Sequence, residues 1–109
     1  KLVITMKYIY KEDRILLMDQ DREVGKITFP IFKGDIRVLN HTFVDPEYRS
    51  GGIASKLVTE AYNHLKKNNL RAVATCPYVV KWFERHQDKQ DILVLEEQAK
   101  LGEECAILL

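Results

Sequence analysis

The sequence predicts a single α/β domain whose mixed, mostly antiparallel sheet is built around one central strand–helix–strand unit. Three observations point there. Apolar residues alternate with a period of two through Gly25–Ile31 and again through Ile36–Val44, the mark of half-buried strands. From Ile53 the period becomes helical, with Leu57, Val58, Ala61, Tyr62 and Leu65 on one stripe. A short apolar strand, Leu70 to Thr75, follows that helix, and a crossover of this kind joins parallel strands in a right-handed sense.

In chain order, Arg14 to Asp19 is an apolar run between charged stretches and reads as a strand. Gly25 to Ile31 puts Ile27, Phe29 and Ile31 on one face, and Pro30, which cannot donate to a ladder, marks an edge or a bulge. Lys33-Gly34-Asp35 is hairpin-turn chemistry. In the next strand Leu39, His41 and Phe43 share one face, and Val38, Asn40, Thr42 and Val44 the other. Asp45-Pro46-Glu47 is a turn, and Gly51-Gly52 precedes the long helix. Lys66-Lys67 suit the negative end of that helix, and Asn68-Asn69 end it. Pro77 opens a second helix carrying Val79, Val80 and Phe83. Gln87 to Asp91 is a polar loop, Ile92 to Leu95 a candidate last strand, and Glu96 to Glu104 a charged, helix-prone stretch. Residues 1–109 thus form one domain, with about 96–109 as a C-terminal extension without a readable role.

The 109 residues suffice for one modest core. Seventeen basic against sixteen acidic side chains give a formal charge of +1, which argues against a nucleic-acid footprint. No apolar run approaches the ~20 residues of a membrane span, and no secretory leader is visible. Cys105 lies one residue too far from the end for a prenylation box. The two cysteines, Cys76 and Cys105, make no disulfide framework and lack metal-ligand spacing. The expectation is a reduced, cytoplasmic protein without a metal, a monomer or weak dimer.

The densest chemical signal is the join between the strand ending at Val44 and the helix opening near Gly51. A helix N-terminus offers unpaired N–H groups and partial positive charge, which suit a phosphate. Gly51 and Gly52 have no Cβ to hold an anion away, Ser50 adds a hydroxyl, and Arg49 adds a fixed charge. Taken alone, the segment reads more readily as a glycine-rich turn that simply caps a helix, since two neighbouring glycines are weak evidence for an anion site. Neither G-x-x-x-x-G-K-[ST] nor G-x-G-x-x-G is present, so a Walker site and a dinucleotide fold are unsupported.

Val44-Asp45-Pro46-Glu47-Tyr48-Arg49-Ser50-Gly51-Gly52-Ile53-Ala54-Ser55-Lys56-Leu57 resembles the coenzyme A motif of the GNAT acetyltransferase superfamily, V-x-P-x-x-R/Q-x-x-G-x-G/A-x-x-L. Val44, Pro46, Arg49, Gly52, Ala54 and Leu57 are in register with it. The stretch from about His41 to His86 continues the family's order, and C-P-Y at Cys76 is similar to a subgroup of very short members. The resemblance implies a GNAT fold that lacks the usual first helices, because Asp19 to Glu23 is too short to hold them. Those helices usually wall the acceptor site, so an open site is implied.

The resemblance also implies roles. The backbone from Arg49 through Ser50, Gly51, Gly52, Ile53 and Ala54 to Ser55 would hold the pyrophosphate of acetyl-coenzyme A. Phe43 and Val44 would pair with the pantetheine arm, and the N–H near Phe43 would receive the acetyl carbonyl. Where many members have a tyrosine that protonates the departing thiolate, this chain has Phe83, and Tyr78 is a nearby substitute. Cys76 is either a small residue closing a strand or a thiol at a helix start, activated as acyl acceptor or proton donor. His41 is either a core histidine on the Leu39–Phe43 face or a general base for the incoming amine. His64 and His86 read as surface residues, and Trp82 and Phe83 as packing. The implied function is acetyl-coenzyme A-dependent N-acetyl transfer to an unidentified amine, directly or through Cys76. The alternative is a non-catalytic module that binds or senses acetyl-coenzyme A.

Overall fold

The computed structural model describes residues 6–101. The expectations for the first residues, for Cys105 and for the end of the charged C-terminal stretch lie outside them. Among the described residues, seven strands and three helices follow in order: β1 (Met6–Tyr10), β2 (Arg14–Asp19), β3 (Arg22–Thr28), β4 (Ile31–Lys33), β5 (Ile36–Leu39), β6 (His41–Val44), α1 (Ile53–Lys67), β7 (Arg71–Ala74), α2 (Pro77–Arg85) and α3 (Leu95–Ala99). Short 3-10 helices span Pro46–Gly51 and Gln87–Ile92.

The strands form two sheets, ordered β1-β2-β3-β6 and β4-β5-β7. The first is antiparallel throughout. In the second, β4 and β5 form the hairpin expected at Lys33–Asp35, and β5 runs parallel to β7. The single strand expected over Ile36–Val44 is therefore two strands. Its first half pairs with β7, and at Asn40 the chain changes partner and its second half pairs with β3. The Asn40 N–H and side chain both bond to Thr28, which marks the switch. Past that point β6 and β7 diverge. Pro30 divides the other long expected strand in the same way. Phe29 stays fully buried, whereas Ile31 beyond the proline is 60% exposed. The β2–β3 turn holds only Gln20 and Asp21 between the paired Asp19 and Arg22, so no helix intervenes.

α1 lays Ile53, Leu57, Val58, Ala61, Tyr62 and Leu65 against Ile15, Leu17, Ile27 and Val44. Gly25 lets it come that close, because a Cβ there would stand 2.9 Å from Leu57 Cδ1 and 2.9 Å from the Phe43 carbonyl oxygen. The helix ends at Lys67 with Asn68 as its cap, and the next residue, Asn69, has a left-handed φ of 60°. Leu70 N–H bonds back to the Leu65 carbonyl and Asn69 N–H to that of Lys66, a Schellman ending with asparagine in place of glycine.

The expected last strand at Ile92–Leu95 reduces to one parallel bridge, Leu93 to Ala72. Ile92 still belongs to a 3-10 helix and Leu95 already begins α3, which leaves two extended residues between them. β1 escaped the periodicity reading because both faces of Met6–Tyr10 carry large apolar groups.

Candidate functional site

The segment from Val44 to Ala54 is held rigidly at its start. Asp45 caps the 3-10 helix by accepting the Glu47 N–H at 2.9 Å, and Pro46 supplies a fixed φ at the first turn. Arg22, in the β2–β3 hairpin, grips Asp45 at 2.8 Å and Glu47 at 2.9 Å. The Glu47 N–H first, and then Arg22, hold the Asp45 carboxyl below its ordinary range. Tyr48 donates to Asp19 at 2.9 Å and stacks under the Arg22 guanidinium, which pins the loop to the same hairpin.

The loop ends at Gly52, whose φ of 69° turns the chain into α1. Nothing lies within 4 Å of where a Cβ would stand, so the residue faces open space. No side chain caps α1, and the first helical bond comes from Lys56 N–H to the Gly52 carbonyl. The N–H groups that precede it point out of the helix with its partial positive charge. Arg49 stands beside them, its Nε bonded to the neutral Val44 carbonyl at 3.1 Å.

These groups border a groove of about 420 Å³ lined by Thr42, Val44, Arg49, Gly52, Ile53, Ala54, Ser55 and Tyr78. Tyr78, 41% exposed in the first turn of α2, forms the far wall. Ser55 Oγ accepts the indole N–H of buried Trp82 at 3.0 Å, which ties the two helix starts together and leaves the hydroxyl proton free to be donated. Ser50 and Gly51 lie in the loop immediately before Gly52.

β6 ends the first sheet, so among the described residues one of its edges has no strand partner. The register decides which residues face that edge. Asp45 N–H bonds to Val24 on β3, and paired groups alternate along an antiparallel ladder. Phe43 therefore turns its N–H and carbonyl toward β3, opposite Lys26. Thr42 and Val44 present theirs to the open edge, in keeping with the Arg49 bond to the Val44 carbonyl. The donor sought near Phe43 is thus one residue away on either side. Thr42 was missed as a site residue, although its place two residues before Val44 was the available signal.

Cys76 precedes α2, part-buried, at the point where β6 and β7 part. Its Sγ lies 3.7 Å from Thr42 Oγ1 across the opening. His41 is not brought to this place. It is exposed, and alternation puts its side chain on the face of β6 opposite Thr42 and Val44. It is not a core residue either, since the change of partner at Asn40 separates it from buried Leu39. Phe83 is fully buried, its ring edge-on to Trp82. His64 and His86 are half-buried rather than on the surface. His64 stacks on Tyr10, with burial first and then Lys67 and Arg37 pushing its pKa down. His86 stacks on Trp82 at 4.1 Å.

Among the described residues, no three His, Cys, Asp or Glu side chains are grouped to hold a metal, and no helix is long and apolar enough to cross a membrane. A family model described as GCN5-related N-acetyl-transferase matches residues 8–92. The solution structure of a GCN5-like protein from Staphylococcus aureus superposes with a TM-score of 0.69 at 22% identity, covering 84% of this chain and 91% of that one. At that identity the likeness is one of fold. Comparison with curated proteins finds no match.

Proposed function

The chain belongs to the GCN5-related N-acetyltransferase family, and from that premise we propose that it moves an acetyl group from acetyl-coenzyme A to an amine. The observation that carries the reading is the uncapped start of α1, opened by left-handed Gly52 onto a groove that runs along the free edge of β6. Four features of the site fit the cosubstrate: outward N–H groups, a fixed cation, an unpaired strand edge and room beside Gly52.

In this reading the N–H groups of Ile53, Ala54 and Ser55, with the Arg49 charge and the Ser55 hydroxyl, hold the pyrophosphate, whereas the backbone of Arg49, Ser50 and Gly51 lies within the 3-10 helix that leads to them. Val44 and Thr42 pair with the pantetheine arm as a neighbouring strand would. The Thr42 N–H, next to Cys76, is the donor best situated for a carbonyl oxygen that gains negative charge during acyl transfer. Acetyl-coenzyme A supplies an activated thioester. As the new bond to the acetyl carbon forms, the carbon–sulfur bond breaks, the thiol departs, and the attacking group gives up its proton.

Cys76 enters in one of two ways. It donates a proton to the leaving thiolate, or it first takes the acetyl on its own sulfur, releasing coenzyme A, and then passes it to the amine. Intact mass after incubation with acetyl-coenzyme A separates the two: a covalent route adds about 42 Da, an adduct that disappears in Cys76→Ala. Mass unchanged in the native protein, with turnover retained in the variant, rejects the covalent route.

One observation favours a second reading, a binding module without turnover. Phe83 stands where a catalytic tyrosine is usual, and it is sealed in the core. Acetyl-coenzyme A at a hundredfold excess over Kd stabilises a native-state binder by about 2.7 kcal/mol, so a rise in melting temperature is expected under either reading. Coenzyme A release with a broad panel of amines is expected under the first alone. Binding without release supports the module, and no stabilisation at all rejects both.

A further inference from the structure

Gln98 lies beyond the segment that the family model matches and is not among the residues lining the groove, yet its side chain is 2% exposed and both ends of its amide bond to Ala74. Oε1 accepts the Ala74 N–H at 2.7 Å, and Nε2 donates to the Ala74 carbonyl at 2.8 Å. A side-chain amide offers a donor and an acceptor at nearly the spacing of a peptide group. Gln98 therefore acts as one more rung on the outer edge of β7, after the Val94 N–H has bonded to the Ala72 carbonyl; the Arg71 guanidinium reaches the Leu93 carbonyl on the same side. On the inner edge the Leu39 carbonyl receives Thr75 N–H at 3.1 Å and Cys76 N–H at 3.2 Å. The stretch from Ala74 to Cys76 is gripped from both sides at the point where β6 leaves β5. Two residues beyond the Gln98 clamp, Cys76 Sγ faces Thr42 Oγ1.

We infer that Gln98 is a positioning residue for Cys76: by pinning the Ala74 peptide it sets how far Cys76 stands from Thr42 at the head of the groove. The consequence for turnover rests on the transferase reading above, whereas the consequence for the thiol itself does not. The chemistry of the clamp is specific. Methionine would fill the same space and offer neither bond. An ionised glutamate would accept from Ala74 N–H but oppose its other oxygen to the Ala74 carbonyl. A protonated glutamate would restore the donor, and burial favours that neutral form.

The test follows the reaction of Cys76 with 4,4′-dithiodipyridine in a Cys105→Ser background, as a ratio to the parent protein at each pH, with the melting temperature recorded. Gln98→Met is expected to raise the rate about tenfold, the size of one buried hydrogen bond of ~1.4 kcal/mol. Gln98→Glu is expected to match it near pH ~8 and to fall back within about twofold of the parent near pH ~5, as the carboxyl protonates. Variants that melt lower while the Cys76 rate stays within about twofold at every pH overturn the inference, since Gln98 would then only brace α3. Should one variant fail to fold, the other decides. Should both fail, the side-chain NH2 resonances of Gln98 in the parent decide: they are expected to move when Cys76 is blocked, and unmoved resonances overturn the inference. With acetyl-coenzyme A and an amine, Gln98→Met is expected to lose about tenfold in kcat, with cosubstrate affinity within about threefold. A parent without turnover counts against the transferase reading and leaves the thiol rates to judge Gln98.

Discussion

Gly51 and Gly52 are neighbours in sequence and unequal in structure. Gly52 has a φ of 69°, where a side chain costs about 1–2 kcal/mol, and Gly51 has no such angle. A Cβ on Gly51 would meet only Ile53 Cγ1 at 3.9 Å, ordinary contact distance. Gly52→Ala is therefore expected to lower stability by about 1–2 kcal/mol and Gly51→Ala to change it by less than ~0.5 kcal/mol, as read from denaturant melts. The sequence motif singled out both glycines, but only the backbone angle tells them apart. Thr42 and His41 teach the same lesson on β6. Residue identity made His41 the conspicuous candidate, while the ladder register makes Thr42 the one that faces Cys76 and the open edge.

At the scale of elements, α1 was legible almost residue by residue, because its apolar stripe, its glycine start and its Asn68-Asn69 end are all local signals. The split of the long strand at Asn40 was not legible. Alternation runs on through Leu39, His41 and Phe43 without a break, and only pairing with two different sheets separates the halves. Gly25 shows how the elements then fit. It allows α1 to rest on β3, and Ala there would press on both Leu57 and the Phe43 carbonyl oxygen. Gly25→Ala is expected to cost about 1–3 kcal/mol, the usual scale of overpacking. The displaced α1 start should weaken acetyl-coenzyme A binding as well. A melting curve and a binding isotherm that both match the parent would contradict this account of the packing.

Across the whole molecule, the lowered pKa values of several carboxylates and of His64 act in the same direction with pH. His64 has its folded pKa pushed down, so the fold favours its neutral form. That contribution is complete above the usual value of about 6.5 and is lost as pH falls below it, because the unfolded chain then binds the proton more readily. Asp45, Asp91 and Glu97 also have lowered pKa values, through the Glu47 N–H, Lys66 and Lys33 respectively. Their contributions hold above the usual carboxylate range and fade as pH falls through their folded values. Stability should therefore decline toward acid in two stages, the first belonging to His64. His64→Gln is expected to flatten the decline beginning near pH ~6.5 and leave the lower stage in place, as followed by urea melts across pH. A first stage that survives the substitution would contradict the assignment.

The central claim is that the opening of α1 at Gly52 binds acetyl-coenzyme A, and calorimetric titration of native protein beside Gly52→Val tests it most directly. The valine is strained at a φ of 69°, but its Cβ meets nothing within 4 Å in the fold itself, so in the folded variant its side chain would fill the room assigned to the pyrophosphate. The native protein is expected to bind, and the folded variant to lose at least about thirtyfold in affinity, roughly 2 kcal/mol. Equal affinity in both proteins, or no binding to the native one, would contradict the account.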